Sequence, residues 1–264
     1  MLKQRLLTAL CAIPILLAAI FSPYIFIFKI LVLICLGFGI YEFLTVVQIP
    51  KKDILILFFA GLLHVFYLLF IPVMMRRDII EFSFLLIIIF CFYVMKPKEN
   101  LEGIGAQIAL AFIGIHYVGT LGSFIGQMRD LPLGPYWILT TMALAWMNDT
   151  CAYFAGLKFG KHKLATLISP KKSWEGFIGG YCGSLLGFLI FWFLFHQPIP
   201  LARGLLLVLC AGVLGPVGDL AESLFKRTFH IKDSGAIIPG HGGMLDRIDA
   251  LLFVAPVVYF LAVL

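Results

Sequence analysis

Long apolar runs follow one another along the whole chain, separated only by charged residues or by Pro and Gly breaks. Nine can be marked, at about 6–22, 24–48, 54–74, 79–95, 102–126, 134–157, 174–195, 201–222 and 249–264. A helix needs about 20 apolar residues to cross the hydrocarbon core of a bilayer, so each run predicts one transmembrane helix. The ends are the least distinct: Ser22-Pro23 alone divides the first two runs, and the last amounts to about 25 Å of helix. The expected fold class is an all-α polytopic membrane protein with about nine transmembrane helices. No internal repeat is visible, nor any linker that would cut the chain into independent domains. The pattern falls into an N-terminal transmembrane scaffold of about five spans, residues 1–126, and a C-terminal region of about four spans, residues 127–264, where polar residues concentrate.

Composition agrees. Hydrophobic residues make up 62% of the chain and charged residues 13%, against roughly 45–50% and about 25% in soluble domains. A soluble globule of this size cannot hide that much apolar surface. Nine spans leave only short connections, which excludes a sizeable extramembrane domain and confines any chemistry to helices and loops. The first residues, MLKQRLLTALCAIPILLAAIF, set Lys3 and Arg5 before an apolar run, as a signal peptide does. A second apolar run follows at once with no polar domain after it, so the segment is expected to stay as the first span. Cys11, Cys35, Cys91, Cys151, Cys182 and Cys210 all lie in apolar runs without CxxC spacing. That argues for packed thiols rather than a zinc site or a disulfide framework.

The 20 Lys and Arg against 14 Asp and Glu give a net charge of +6. Such an excess is ordinary beside anionic lipid and points to no nucleic-acid partner. Its placement says more. If successive connections alternate sides, Lys3, Arg5, Lys51, Lys52, Lys96, Lys98, Lys158, Lys161, Lys163, Lys171, Lys172, Lys226, Arg227, Lys232 and Arg247 fall on one side. Only Lys29, Arg76, Arg77, Arg129 and Arg203 fall on the other. This bias puts the N-terminus in the cytoplasm and the C-terminus outside. The two long polar loops, 158–173 and 223–248, are then both cytoplasmic.

The candidate chemistry lies in the second half. Asp219, Glu222, Ser223 and Lys226 share one helical face at the end of the eighth run, and Asp246 and Asp249 stand one turn apart where the ninth begins. An unpaired charge costs about 2.5–3.5 kcal/mol at the bilayer centre and less near its boundary. Two carboxylate pairs on adjacent helices therefore suggest an oxygen cage suited to Mg²⁺ with substrate phosphate and water. Salt bridges to Lys226, Arg227 and Arg247 are the structural alternative. Between the pairs, Lys226, Arg227 and Lys232 offer cationic heads for phosphate oxygens. Gly240, Gly242 and Gly243 around His241 leave a backbone that a ligand can approach, or simply a glycine-rich turn. Asn148 and Asp149 form an amide–acid pair inside LAWMNDTCAYFAG, and an acid within a span is a site hypothesis. In the loop that follows, Ser169-Pro170 or Ser173 can cap the next helix, whose N-terminus would attract anions beside Lys171 and Lys172. In the first half, Glu42 reads as an interfacial anchor, and His64 and His116 as buried, hydrogen-bonded imidazoles.

The stretch SLFKRTFHIKDSGAIIPGHGGMLDRID, residues 223–249, resembles the signature of phosphatidate cytidylyltransferases, the CDP-diacylglycerol synthases. It agrees at Ser223, Lys226, Arg227, Lys232, Asp233, His241, Gly242, Gly243, Asp246, Arg247 and Asp249. NDTCAYFAGLKFGKHKL and SPKKSWEGFIGG are similar to that family as well, so the likeness covers about 148–249. Ser173 stands where the family more often has Thr.

The resemblance implies transfer of a cytidylyl group from CTP to phosphatidate, with release of pyrophosphate, in phospholipid biosynthesis. It implies an Mg²⁺-dependent, multi-span, commonly dimeric enzyme of a bacterial cytoplasmic membrane, its site facing the cytoplasm. Asp219 and Asp246 become metal ligands, with Asp249 and Glu222 next and Asp149 joining or supporting them, with or without a second cation. Lys226, Arg227, Lys232 and Arg247 become phosphate clamps, with Asp233 and His241 in the catalytic set. Asn148 and Ser223 join the substrate-binding set. Lys171 and Lys172 hold pyrophosphate or the lipid headgroup, and His241, Gly242 and Gly243 shape the nucleotide pocket. Phosphatidate brings its own anionic nucleophile, so the need is for charge neutralisation rather than a strong base. Competing expectations are a CDP-archaeol synthase, a CTP-dependent polyprenol kinase, or an ion-coupled transporter relaying through Asp149, Asp219 and Asp246. The intact 223–249 signature disfavours the first two. Acids clustered with basic loops on one side disfavour the transporter, whose site would lie near the midplane.

Overall fold

The computed structural model of the chain describes residues 2–75, 78–95, 101–194, 199–237 and 242–264. Among these, nine helices follow in order: α1 (Leu2–Phe21), α2 (Ile25–Val46), α3 (Lys51–Phe70), α4 (Asp78–Met95), α5 (Ile104–Asp130), α6 (Gly134–Phe159), α7 (Trp174–Leu194), α8 (Leu201–Thr228) and α9 (Leu245–Val263). Each apolar run holds one helix. Helices α2, α3, α5, α7 and α8 are long and apolar enough to cross a membrane.

Two boundaries differ from the apolar pattern in a way that shapes the site. Helix α8 runs on to Thr228 instead of stopping at 222, and α9 begins at Leu245 instead of 249. Hydropathy marks where apolar surroundings would end, but the backbone keeps its helical bonds while good helix formers and an i,i+4 ion pair continue. The acids therefore ride on rigid helix ends. One segment departs from the all-α expectation: within 158–173, β1 (Lys163–Ala165) and β2 (Ser169–Ser173) pair as a short antiparallel hairpin.

Small residues let the helices close up, as is usual where lipid supplies no hydrophobic drive between them. Gly176, Gly180, Gly183 and Gly187 line one face of α7 against α6. A Cβ at Gly180 would meet Asn148 Oδ1 at 2.6 Å, and one at Gly187 would meet Met147 Cγ at 2.7 Å. Helix α5 carries a π-helical turn over Ile115–Thr120. The expectation for the histidines is met at His64, buried with Nδ1 2.5 Å from Glu81 Oε1 and Nε2 2.8 Å from Thr120 Oγ1, whereas His116 is hydrogen-bonded but only half-buried. His116 Nδ1 donates to Phe112 O at 3.0 Å. All six cysteines are free thiols.

The two ends of the bundle are distinct. At one, Lys29 pairs with Asp130 at 2.7 Å and Arg129 donates to Ser22 O at 2.7 Å. At the other, Gln48 Nε2 donates to Phe229 O at 3.4 Å, and Arg227 Nε donates to Ile168 O at 3.3 Å. The hairpin, the end of α2 and the loop after α8 thus gather at one end, as the alternation of basic connections predicts.

Candidate functional site

Helix α8 meets the start of α9 closely because residue 218 is glycine: a Cβ there would stand 2.6 Å from Asp249 O and 3.3 Å from Ala250 Cα. Helical spacing makes Glu222 and Lys226 an ion pair with Oε2–Nζ of 2.5 Å, and the same ammonium reaches across to Asp246 Oδ1 at 2.5 Å. Lys226 and Glu222 are buried. One cation thus serves two carboxylates, and removing Lys226 would leave both without a counter-charge.

The second oxygen of Asp246 serves the loop. Its Oδ2 accepts from Ser234 N at 3.1 Å, Ser234 Oγ at 2.9 Å and Gly243 N at 3.0 Å. Gly242 has φ +85°, a left-handed conformation that glycine adopts without strain, and a Cβ there would stand 3.1 Å from Asp246 Oδ2.

A second ion pair comes from the hairpin. Lys172 Nζ lies 2.6 Å from Asp219 Oδ2, while Ser223 Oγ approaches Asp219 Oδ1 at 3.4 Å. Strand alternation sends neighbouring side chains to opposite faces, so Lys171 is exposed and only Lys172 reaches the acids. The next residue, Ser173, accepts from Gly176 N at 3.1 Å and caps α7, as one of the two sequence alternatives has it.

Asp149 on α6, Asp219 on α8 and Asp249 on α9 face one another within electrostatic reach, with Lys172, Lys226 and Arg247 as their cationic neighbours. Asp249 Oδ1 accepts from Ala250 N at 2.7 Å. This is a hard-oxygen donor set of the kind Mg²⁺ favours, and its acids outnumber the cations once Glu222 and Asp246 are included. Among the described residues no group of three such side chains already converges as a metal cage. Lys172 holds Asp219 and Lys226 holds Glu222 and Asp246 instead.

The remaining candidates divide. Asn148 turns away from Asp149, as adjacent helical residues must. Its Nδ2 donates to Ser184 Oγ at 3.0 Å and Gly212 O at 3.2 Å, tying α6 to α7 and α8. Arg227 spends its guanidinium on backbone, donating to Ile168 O and, at 3.2 Å, to Ile231 O. Lys232, Asp233 and Arg247 are exposed. Gly240 and His241 lie outside the described residues.

Two residues of the N-terminal half enter the site unannounced. Glu42, expected as an interfacial anchor, is only 2% exposed. Its Oε2 accepts from Leu245 N at 2.8 Å and Ser234 Oγ at 3.2 Å. Tyr117, on the π-helical turn of α5, is buried within electrostatic reach of Asp249, Glu222 and Asp219. A lone acid in an apolar run was a signal for Glu42; an apolar run containing a tyrosine gives none for Tyr117.

The chain is similar to known proteins. The cytidylyltransferase family matches residues 3–264. A Bacillus subtilis protein named phosphatidate cytidylyltransferase is 40% identical over 190 residues, covering 72% of this chain and 69% of the relative. One of the same name from Staphylococcus aureus is 36% identical over 195 residues, covering 73% and 71%. Another from Staphylococcus saprophyticus is 37% identical over 187 residues, covering 71% and 69%.

Proposed function

The chain belongs to the cytidylyltransferase family, and from that premise we propose that it transfers the cytidylyl group of CTP to phosphatidate, making CDP-diacylglycerol and pyrophosphate for phospholipid synthesis. The observation that carries the reading is the pairing of Lys172 with Asp219 and of Lys226 with Asp246 at one end of an apolar helix bundle. The reaction forms a bond from a phosphatidate phosphate oxygen to the α-phosphorus of CTP and breaks the bond to the β-phosphate. Two phosphates and a pyrophosphate leaving group then crowd together, and their charge is the main obstacle. Lys172, Lys226 and Arg247 bind those oxygens, the two lysines exchanging carboxylate partners for phosphate. Arg227 and the Asp246–Ser234–Gly243 bonds keep the loop in place around them. Lys171 and Lys232, being exposed, meet the outer phosphates.

Asp219, Asp149 and Asp249, with Asp246 and Glu222 beside them, are the residues that would hold Mg²⁺. The ion, when bound, neutralises charge on the transferring and leaving phosphates. Exposed Tyr153, Phe154, Leu157 and Trp174 at the roots of the hairpin leave apolar surface where a lipid substrate can approach. Purified protein in detergent, given labelled CTP, phosphatidate and Mg²⁺, is expected to form a labelled liponucleotide. Label reaching only a polyprenol phosphate or an archaeol-type lipid would replace this substrate assignment.

In the same reading all nine helices span the inner membrane of a bacterium, with the N-terminus and both polar loops cytoplasmic, the C-terminus outside, and the protein a homodimer. The distribution of Lys and Arg and the gathering of both loops at one end support that orientation. Single cysteines placed at Lys161 and Lys232 in a cysteine-free chain should resist an impermeant thiol reagent in intact cells and react in inverted vesicles. Ready labelling from outside would reverse the orientation.

A further inference from the structure

We infer that Glu42, on a helix otherwise devoted to scaffolding, is the positioning residue that seats the loop between α8 and α9 and so sets where Asp246 and Lys226 stand. The inference deepens the proposed function and rests on its placement of the site at these helix ends.

The first amides of a helix lack intrahelical partners, and α9 has no side-chain cap of its own at Met244. Glu42 supplies one from another helix, its Oε2 accepting from Leu245 N at 2.8 Å. A carboxylate here also meets the positive end of the helix dipole. The same oxygen lies 3.2 Å from Ser234 Oγ, which lies 2.9 Å from Asp246 Oδ2. Ser234 has one hydroxyl hydrogen to share between the two carboxylates, so a displacement of one is felt by the other. Asp246 in turn holds Lys226 at 2.5 Å.

The loop is shaped around this carboxylate. A Cβ at Gly243 would stand 2.5 Å from Glu42 Oε2 and collide with Ser234 Oγ, and one at Gly235 would collide with Glu42 Oε1. Both glycines are thus walls of a seat for Glu42, an explanation that a ligand-approach role does not supply. A carboxylate 2% exposed among apolar helices is costly unless bonded, and its bonds run to the loop. Glu42 acts on Asp246 and Lys226 through Ser234 and Leu245.

The test compares Glu42→Gln and Ser234→Ala with the unmodified protein by hydrogen exchange, thermal melting and steady-state kinetics. Glu42→Gln keeps the shape but removes the charge, and Ser234→Ala removes only the shared hydroxyl. In both, amides 242–250 should exchange about tenfold faster while α3 and α7 are unaltered, and kcat should fall about tenfold or more with the KM for CTP changed by about threefold or less. Unchanged exchange in both variants overturns the seat. Faster exchange with normal kcat overturns its role in the reaction, as does loss of activity only in proportion to unfolded protein. If Glu42→Gln fails to fold, Ser234→Ala decides by the same readouts. Should the unmodified protein make no liponucleotide, the functional reading fails, while the exchange measurement still decides whether Glu42 seats the loop.

Discussion

Asp219→Asn is expected to lower turnover by about 100-fold or more while leaving the melting temperature nearly unchanged. If Asp219 helps hold Mg²⁺ against the CTP phosphates, losing its charge removes several kcal/mol of stabilisation, and each ~1.4 kcal/mol is tenfold in rate. In the fold the same residue does little. It is partly exposed, its Oδ2 meets Lys172 at 2.6 Å and its Oδ1 has only a 3.4 Å contact with Ser223. A partly exposed pair of this kind contributes about 0–1 kcal/mol. Asp246→Asn is the contrasting case. There an amide group would face donors at Ser234 N, Gly243 N and Lys226 Nζ, so stability should fall together with activity. Turnover titrated against Mg²⁺, beside melting curves, separates the two. Normal turnover with the usual Mg²⁺ dependence in Asp219→Asn would remove Asp219 from the site.

Lys226→Met should be the most damaging change to the fold. The methionine fills a similar volume but leaves Glu222 and Asp246 facing each other without the cation that lies 2.5 Å from each. Breaking a buried ion pair by deleting one partner costs about 3–5 kcal/mol, a large part of the stability of an ordinary domain. Adding Glu222→Gln removes one of the two stranded charges and should recover much of the melting temperature. If the Lys226 ammonium binds phosphate in the reaction, activity should not recover. Recovery of both together would make Lys226 a purely structural counter-charge.

The helices were legible one by one because each is specified locally by an apolar run, and five of them are long and apolar enough to cross a membrane. The acids of α8 and α9 were legible for a related reason. A carboxylate in or beside an apolar run is costly without a partner, and i,i+3 and i,i+4 spacing says which of them share a face. Spacing of this kind places Asp219, Glu222 and Lys226 on one face of α8 and Asp246 and Asp249 on one face of α9. The hairpin in 158–173 was not legible, because two short polar strands show neither helical period nor a buried face.

Where local pattern left two neighbours equivalent, the tertiary structure told them apart. Strand alternation gives Lys172 to Asp219 and Lys171 to the surroundings. Helical rotation gives Asp149 to the acid cluster and makes Asn148 a pin between α6, α7 and α8. Glu42 carried the same warning as the other acids, a charge in an apolar run, but its partner Ser234 lies 192 positions away. Sequence determined the helices and their charged faces, since these depend on residues within a turn or two of one another. Only the folded chain decided that α2 and α5 also reach the site, because the seat around Glu42 exists only once loop and helix are packed together.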